Sequence, residues 1–285
     1  MSRALLSVKN DYVFKRVFGN PNNIDALADL LQAVLDIPKE DYGRLDIVDP
    51  HTGRRRPDDK LSILDVRIHT ASGKIIDIEI QVNREVAFKE RIVYYTSILL
   101  TDQMERGLKY DVIKKVISII ITDFTLIDDS DAYHNRYLLC DPKTGSRFGD
   151  IFEINTLELS KLPKESDGGA LWNWLKLMTV REEEDMAELA KKSVAIGKVT
   201  ACIKEMSEDE AERMIAEARE KERRDRWAEI EYGRQEGLRQ GIDIGKEAGR
   251  HEKSLEIADR MKRQNIPSEI ITSVTDLSAE EIAEL

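Results

Sequence analysis

The stretch Leu61-Ser-Ile-Leu-Asp-Val-Arg-Ile-His-Thr-Ala-Ser-Gly-Lys-Ile-Ile-Asp-Ile-Glu-Ile-Gln81 decides the fold of this chain. Its first and last parts alternate apolar and polar residues with a period of two, which is typical of half-buried strands. The Ala-Ser-Gly-Lys link between the two parts is short enough for an antiparallel hairpin. The same period places Glu79 and Gln81 on one face of the second strand. A hairpin folded around this link brings Asp65 close to Glu79.

Two carboxylates on adjacent strands are hard oxygen ligands suited to Mg²⁺ or Mn²⁺. Such a cation polarises a phosphoryl oxygen and lowers the pKa of bound water, as phosphodiester cleavage requires. The backbone carbonyl of Ile80 is a further candidate ligand. However, Asp-Ile-Glu-Ile-Gln is also the pattern of any amphipathic strand with a solvated outer face, so the alternation by itself leaves both interpretations open.

The elements around the hairpin predict an α/β domain over about residues 1–180, built on a mixed sheet flanked by helices. Two helices are expected within residues 10–36, separated by the turn signal Gly-Asn-Pro. A long helix is expected from about residue 84 to residue 107, where a glycine ends it. Strands are predicted in three further segments, residues 112–124, 137–139 and 151–159, the first of them β-branched and buried on both faces.

The remaining chain is predicted to be a helical extension in two parts. Residues 181–254 are charged and carry a glycine every four residues from Gly233 to Gly249. Each glycine lowers helix stability by about 1 kcal/mol relative to alanine, so this stretch is either a helix stabilised by a partner chain or a flexible linker. Residues 255–285 form a small helical segment. This segment is either a helix-turn-helix or a small interaction or capping module. The acidic residues of its helices favour the interaction or capping module.

The composition narrows the class of protein. The net charge is −11, of which residues 181–285 contribute −8, so the chain as a whole should repel nucleic acid. Any DNA binding must then come from a local basic patch or a bridging cation. Cys140 and Cys202 form no disulfide framework, and the four histidines lack the spacing of a zinc site. Without a membrane-length apolar run or a secretion signal, a reduced, cytoplasmic protein with no membrane partner is expected.

Five motifs in order carry a resemblance to a known family over roughly residues 8–125. They are Asn10-Asp-Tyr-Val-Phe-Lys-Arg-Val-Phe-Gly19, Asp59-Lys60, Leu64-Asp-Val-Arg67, Ile78-Glu-Ile-Gln81 and Arg91-x-x-Tyr94-Tyr95. In this order they resemble the PD-(D/E)XK nuclease family transposases, also called the Rpn or recombination-promoting nuclease family. The resemblance implies a restriction-endonuclease-like fold and metal-dependent DNA cleavage, with roles in recombination, mobile elements or phage defence.

The resemblance also implies roles for individual residues. Asp65 and Glu79 match the two acidic metal ligands of the motif, and Gln81 stands where the superfamily usually has lysine. A lysine stabilises an attacking hydroxide by its charge, whereas an amide only orients water or phosphate through hydrogen bonds. Slower chemistry, or heavier reliance on the metal, is therefore expected. The proline of the motif is absent as well, since Leu64 precedes Asp65.

Further residues are assigned accessory roles, each with a structural alternative. Asp11 is a candidate accessory acid or a helix cap. Arg91 and Tyr95 lie four apart and share a helix face, so Arg91 is predicted to hold a phosphate with Tyr95 supporting it, unless the tyrosine only packs on the sheet. The candidate DNA-backbone contacts are basic residues that would otherwise be solvated, namely Lys60, Arg54, Arg55 and Arg56.

Three functions follow from these features. The first is a Mg²⁺-dependent (or Mn²⁺-dependent) DNA endonuclease in which an activated water is the nucleophile. The second is a catalytically weak or inactive descendant that uses the fold to bind DNA or protein. The third is an assembly module that forms homo-oligomers through the C-terminal helical region.

Overall fold

Six strands form one mixed sheet in the part of the chain that this computed structural model describes, residues 5–48, 66–105 and 107–285. The sheet order is β1-β2-β3-β4-β6-β5. The central strands β3, β4 and β6 run parallel, and the other neighbouring pairs are antiparallel. The strand bounds are β1 Leu45–Val48, β2 Val66–Thr70, β3 Ile75–Gln81, β4 Val116–Thr122, β5 His134–Leu138 and β6 Phe152–Glu158.

The predicted hairpin is present within the described residues as the antiparallel pair β2 and β3. Val66 lies opposite Ile78 and Arg67 lies opposite Asp77. Gly73 in the connecting turn has a φ of 83°, a left-handed conformation that glycine adopts without a steric penalty. The predicted β-branched strand is also present as β4, which is buried along its whole length. The short strand β1 was not predicted.

Helices cover both faces of the sheet. On one face, α1 (Asp11–Phe18) and α2 (Ile24–Val34) pack on the large core that includes Ile76, Ile78 and Ile80. The predicted break between these two helices is confirmed as a 3-10 turn at Pro21–Asn23. The opposite face is covered by α3 (Phe88–Thr101), whose Phe88 and Ile92 pack on β4 and β6.

The helix α3 is shorter at both ends than predicted, because side chains that pair across the fold redirect the chain. It begins after Ala87, whose φ of 56° is left-handed and not helical. It ends well before the glycine at 107, since the amide of Gln103 holds the backbone of Lys114. Gln103 Nε2 donates to the Lys114 carbonyl at 3.0 Å, and its Oε1 accepts from the Lys114 N–H at 2.8 Å.

The chain divides into two compact units, residues 1–221 and residues 222–285. In the first unit, α4 (Ala170–Thr179), α5 (Glu183–Ala190) and α6 (Val194–Glu208) add to the large core, where Trp174 is fully buried. They are followed by the long helix α7 (Glu210–Arg263), whose first turns bind α1 through a 2.6 Å hydrogen bond from the Tyr12 hydroxyl to Glu212.

The second unit is entirely helical. It contains residues 222–263 of α7, α8 (Ser268–Thr275) and α9 (Ala279–Glu284), which share a small core around Ile271 and Ile282. The five repeated glycines lie in α7, so the stretch is helical rather than an irregular linker, and a Cβ at any of these glycines would meet no atom within 4 Å. None of the helices in the described ranges combines the length and the apolar content needed to span a membrane.

Candidate active site

Side chains of strand β3 point alternately to the two faces of the sheet, and the candidate site lies on the face opposite the large core. Ile76, Ile78 and Ile80 point into the large core. Because side chains alternate along a strand, Glu79 and Gln81 point to the other face, toward α3. The two residues therefore lie on the same face of the strand, as predicted. The Ile80 side chain is buried in the core, so only its backbone carbonyl is a candidate ligand.

Arg91 on α3 binds Glu79 directly. Its Nη2 lies 2.7 Å from Glu79 Oε1, and the two side chains are 31% and 14% exposed. Its Nη1 donates to Glu85 Oε2, and the guanidinium carbon lies 4.8 Å from the centre of the Phe88 ring. The guanidinium is therefore held by two carboxylates and one aromatic face, at the edge of the site rather than in bulk solvent.

Gln81 is oriented by two hydrogen bonds. Its Nε2 donates to the carbonyl of Asn83 at 3.0 Å and to Glu85 Oε1 at 2.8 Å. A side-chain amide has only two N–H hydrogens, so its Oε1 is left to act as acceptor or ligand. The contacts form a chain that runs from Gln81 through Glu85 and Arg91 to Glu79.

Glu85 was not predicted as a site residue. It lies in the connection between β3 and α3, which has neither the period of a strand nor that of a helix. No pattern in the sequence therefore indicates where its side chain points. Its spacing from the motif residues Gln81 and Arg91 is the only signal that could have drawn attention to it.

A buried polar layer lies beside Glu79 on the same face. Asp77 is 2% exposed and lies opposite Arg67, which is 9% exposed. Burial lowers the pKa of the Arg67 guanidinium, and the carboxylates of Asp102 and Asp77 act in the opposite direction. Burial and the charge of Arg67 both lower the pKa of His69. Glu79 therefore has charged and polar side chains on one side, whereas its neighbour across the β3–β4 pair is the buried Ile120.

The two accessory residues are placed as follows. Asp11 is the exposed first residue of α1, and Asn10 rather than Asp11 caps the helix by accepting from the N–H groups of the next turn. The start of this helix lies near the end of β3, because Lys9 Nζ binds Asp123 Oδ2 at 2.7 Å and the Asp123 N–H donates to the Gln81 carbonyl at 3.1 Å.

Tyr95 is half-buried, one turn beyond Arg91 on α3. Its ring packs edge-on against Tyr94, with 5.3 Å between the ring centres. Tyr94 is 57% exposed, so the tyrosine pair reaches the surface next to the site. The predicted support of Arg91 by Tyr95 remains a prediction.

Several predicted site residues lie outside the described part of the chain. They are Asp65 and the four basic residues Lys60, Arg54, Arg55 and Arg56. Within the described ranges, no group of three or more His, Cys, Asp or Glu side chains is arranged to hold a metal ion. The donors that are described, the Glu79 carboxylate and the Gln81 amide oxygen, are nevertheless hard oxygen ligands on one face of one strand. This donor chemistry fits a divalent cation such as Mg²⁺.

The chain matches the family model of the PD-(D/E)XK nuclease family transposases over residues 8–233. No curated protein and no solved structure matches it significantly. The match confirms the resemblance and extends it beyond the hairpin region to the helices that complete the first unit. The six-stranded mixed sheet, its flanking helices and the long C-terminal helix are consistent with the fold of that family.

Proposed function

The chain belongs to the PD-(D/E)XK nuclease family transposases, and from this premise we propose that it is a metal-dependent endonuclease that hydrolyses phosphodiester bonds in DNA. Membership alone indicates a nuclease-like function related to mobile elements. The observation that carries the finer proposal is the cluster on β3 and α3. A carboxylate, an amide and a guanidinium, from Glu79, Gln81 and Arg91, lie together on one face of the sheet.

In this proposal, Asp65 and Glu79 hold Mg²⁺ or Mn²⁺, with the Ile80 carbonyl as a further ligand. Nucleases of this family generally use divalent metals, and a bound ion would lower the pKa of a water and polarise the scissile phosphate. The contact between Glu79 Oε1 and Arg91 is compatible with this role, because an ionised carboxylate offers about four lone-pair positions.

The chain's own residues would then orient the reactants. The Gln81 Oε1 accepts a hydrogen bond from the attacking water and so fixes its direction. The Arg91 guanidinium, held by the Phe88 ring and by Glu79, binds the non-bridging oxygens of the phosphate and stabilises the charge that develops on them. Tyr95 and Asp11 would support this arrangement from the next helical turn and from the start of α1.

The partners follow from the same assignment. The DNA backbone away from the scissile bond would contact Lys60 and the run Arg54, Arg55 and Arg56, since the net charge of −11 requires a local basic patch.

The glycine-repeat stretch of α7 would join two copies of the chain. It is helical despite five glycines, and it exposes apolar side chains such as Leu238 and Ile244.

The decisive experiment measures nicking of supercoiled plasmid in Mg²⁺, in Mn²⁺ and in chelator. Glu79→Gln and Asp65→Asn should each lower the nicking rate by more than about a hundredfold, since even residues behind a metal ligand commonly contribute 10- to 100-fold. Glu90→Gln is the matched control, because Glu90 is an exposed carboxylate on α3 and the substitution changes the net charge equally. Nicking that survives chelation, or is unchanged in Glu79→Gln, would overturn the proposal.

A second candidate function is a nuclease fold that binds DNA or protein without cutting. The neutral amide of Gln81 and the engagement of Arg91 by two carboxylates favour it. Calorimetric titration with Mn²⁺ separates the two functions. The endonuclease binds the ion and loses it in Asp65→Ala, whereas a binding module shows no such site and no nicking.

A further inference from the structure

Glu85 binds Arg91, which the proposed function assigns to the substrate phosphate, and also the Nε2 of Gln81, whose Oε1 is assigned to the attacking water. Its Oε2 accepts from Arg91 Nη1, and its Oε1 accepts from Gln81 Nε2 at 2.8 Å. Each carboxylate oxygen is thus bound by a different site residue. The motifs assign no role in metal binding or phosphate binding to Glu85, which lies between the motif residues Gln81 and Arg91.

A carboxylate and a phosphodiester present the same pattern to these donors. Each carries one negative charge spread over two oxygens, so either group can accept one hydrogen bond from the Arg91 guanidinium and another from the Gln81 amide. We infer that Glu85 is an intramolecular competitor of the substrate phosphate, which it excludes from Arg91 and Gln81 until it swings out. The inference rests on the proposed function, because that function makes Arg91 a phosphate ligand.

The local structure allows Glu85 to leave without dismantling the site. Its side chain is 42% exposed, and the neighbouring Val86 is 96% exposed, so little packing holds this connection. Ala87 has a left-handed φ of 56°, which is sterically unfavourable for a residue with a Cβ. This strain destabilises the observed conformation of the connection. Arg91, in contrast, stays anchored by Glu79 and by the Phe88 ring, which is 3% exposed.

Phosphate binding to the metal-free protein tests the inference directly. Inorganic phosphate is titrated in the presence of chelator, and binding is followed at the Gln81 side-chain NH₂ by ¹H–¹⁵N NMR. Glu85→Gln should bind phosphate roughly tenfold more tightly than the wild type, as expected when one partly exposed charge pair and its accompanying hydrogen bond no longer compete. The matched control Glu90→Gln should bind like the wild type. Adding Arg91→Ala to Glu85→Gln should abolish the gain.

Equal phosphate affinity in the wild type and Glu85→Gln would overturn the inference, and so would an equal gain in Glu90→Gln, which would indicate only a change in net charge. Plasmid nicking then separates this inference from the proposed function. With both correct, Glu85→Gln nicks faster at subsaturating plasmid and equally fast at saturation. Slower nicking together with weaker Mn²⁺ binding would identify Glu85 as a metal ligand and refute the competitor role. If Glu85→Gln binds phosphate more tightly but neither the wild type nor any variant nicks plasmid, the proposed function is wrong and the inference about Glu85 stands.

Discussion

Replacing Glu153 with glutamine is expected to lower the free energy of unfolding by about 3 kcal/mol. Glu153 lies on β6 with 1% of its surface exposed, on the face opposite Glu79. Its carboxylate lies 2.7 Å from Lys115 Nζ and 2.8 Å from Arg136 Nε, and it accepts a 3.0 Å hydrogen bond from Asn155. Glutamine keeps the shape of this side chain and removes its charge.

The magnitude depends on the partners and the solvent exposure that Lys115 and Arg136 retain after the substitution. The Lys115 side chain is 7% exposed, and its remaining carboxylate is Asp150, which is 57% exposed. Breaking a buried ion pair by removing one partner destabilises by roughly 3–5 kcal/mol, because the other charge stays buried. Arg136 is 30% exposed and can regain water, so the lower end applies. For a unit of this size, about 3 kcal/mol corresponds to a decrease in Tm of about 6–12 °C.

Thermal unfolding followed by near-ultraviolet circular dichroism measures the shift. The matched control is Asp150→Asn, which removes the other carboxylate from the same Lys115 but at an exposed position. Exposed pairs contribute at most about 1 kcal/mol, so this variant should unfold close to the wild type. A Glu153→Gln shift no larger than that of Asp150→Asn would refute the reasoning from burial.

Three further outcomes are expected. Burial raises the pKa of Glu153, but hydrogen bonds from Arg136, Lys115 and Asn155 outweigh it and hold the pKa below its usual value. The resulting stability is therefore present above about pH 4.5 and is lost as the pH falls through the lowered folded-state pKa, so urea unfolding from pH 3 to 7 should show a shallower acid loss in Glu153→Gln. Ala87→Gly should raise the free energy of unfolding by about 1 kcal/mol in urea, since glycine adopts the left-handed φ without strain, and an unchanged value would contradict this. Gln81→Lys should increase the plasmid nicking rate by a larger factor in the Glu85→Gln background than in the wild-type background. An equal factor in both backgrounds would show that the effect of residue 81 does not depend on the charge of Glu85.

Local periodicity predicts the part of the fold that carries the acidic motif. The alternation along residues 75–81 fixes which side chains of β3 face the core, and therefore places Glu79 and Gln81 together on the other face. The β-branched composition of β4 likewise predicts a strand buried throughout. The four-residue strand β1 is too short to establish a period, so its pairing with β2 depends on tertiary contacts that the sequence does not display.

The site is predictable only where its residues lie on regular elements. The spacing of four along α3 indicates which face carries Arg91, and the structure places that residue on Glu79. Glu85 lies in a connection, where side-chain direction depends on the partners it finds across the fold. The same partners explain why α3 begins at Phe88 rather than near residue 84, since Glu85 and the left-handed Ala87 hold the intervening residues out of the helix.

The glutamine at position 81 has a second consequence besides a loss of charge near the attacking water. An ammonium donor adds to its hydrogen bond with a carboxylate the attraction between two opposite charges, which a neutral amide donor lacks. A lysine at this position would therefore bind Glu85 as an ion pair and make the carboxylate harder to displace. The Gln81 amide orients Glu85 through a 2.8 Å hydrogen bond without that added charge, and leaves Arg91 as the main cation to be shared with a phosphate. An added lysine should accordingly favour catalysis only after the Glu85 charge has been removed.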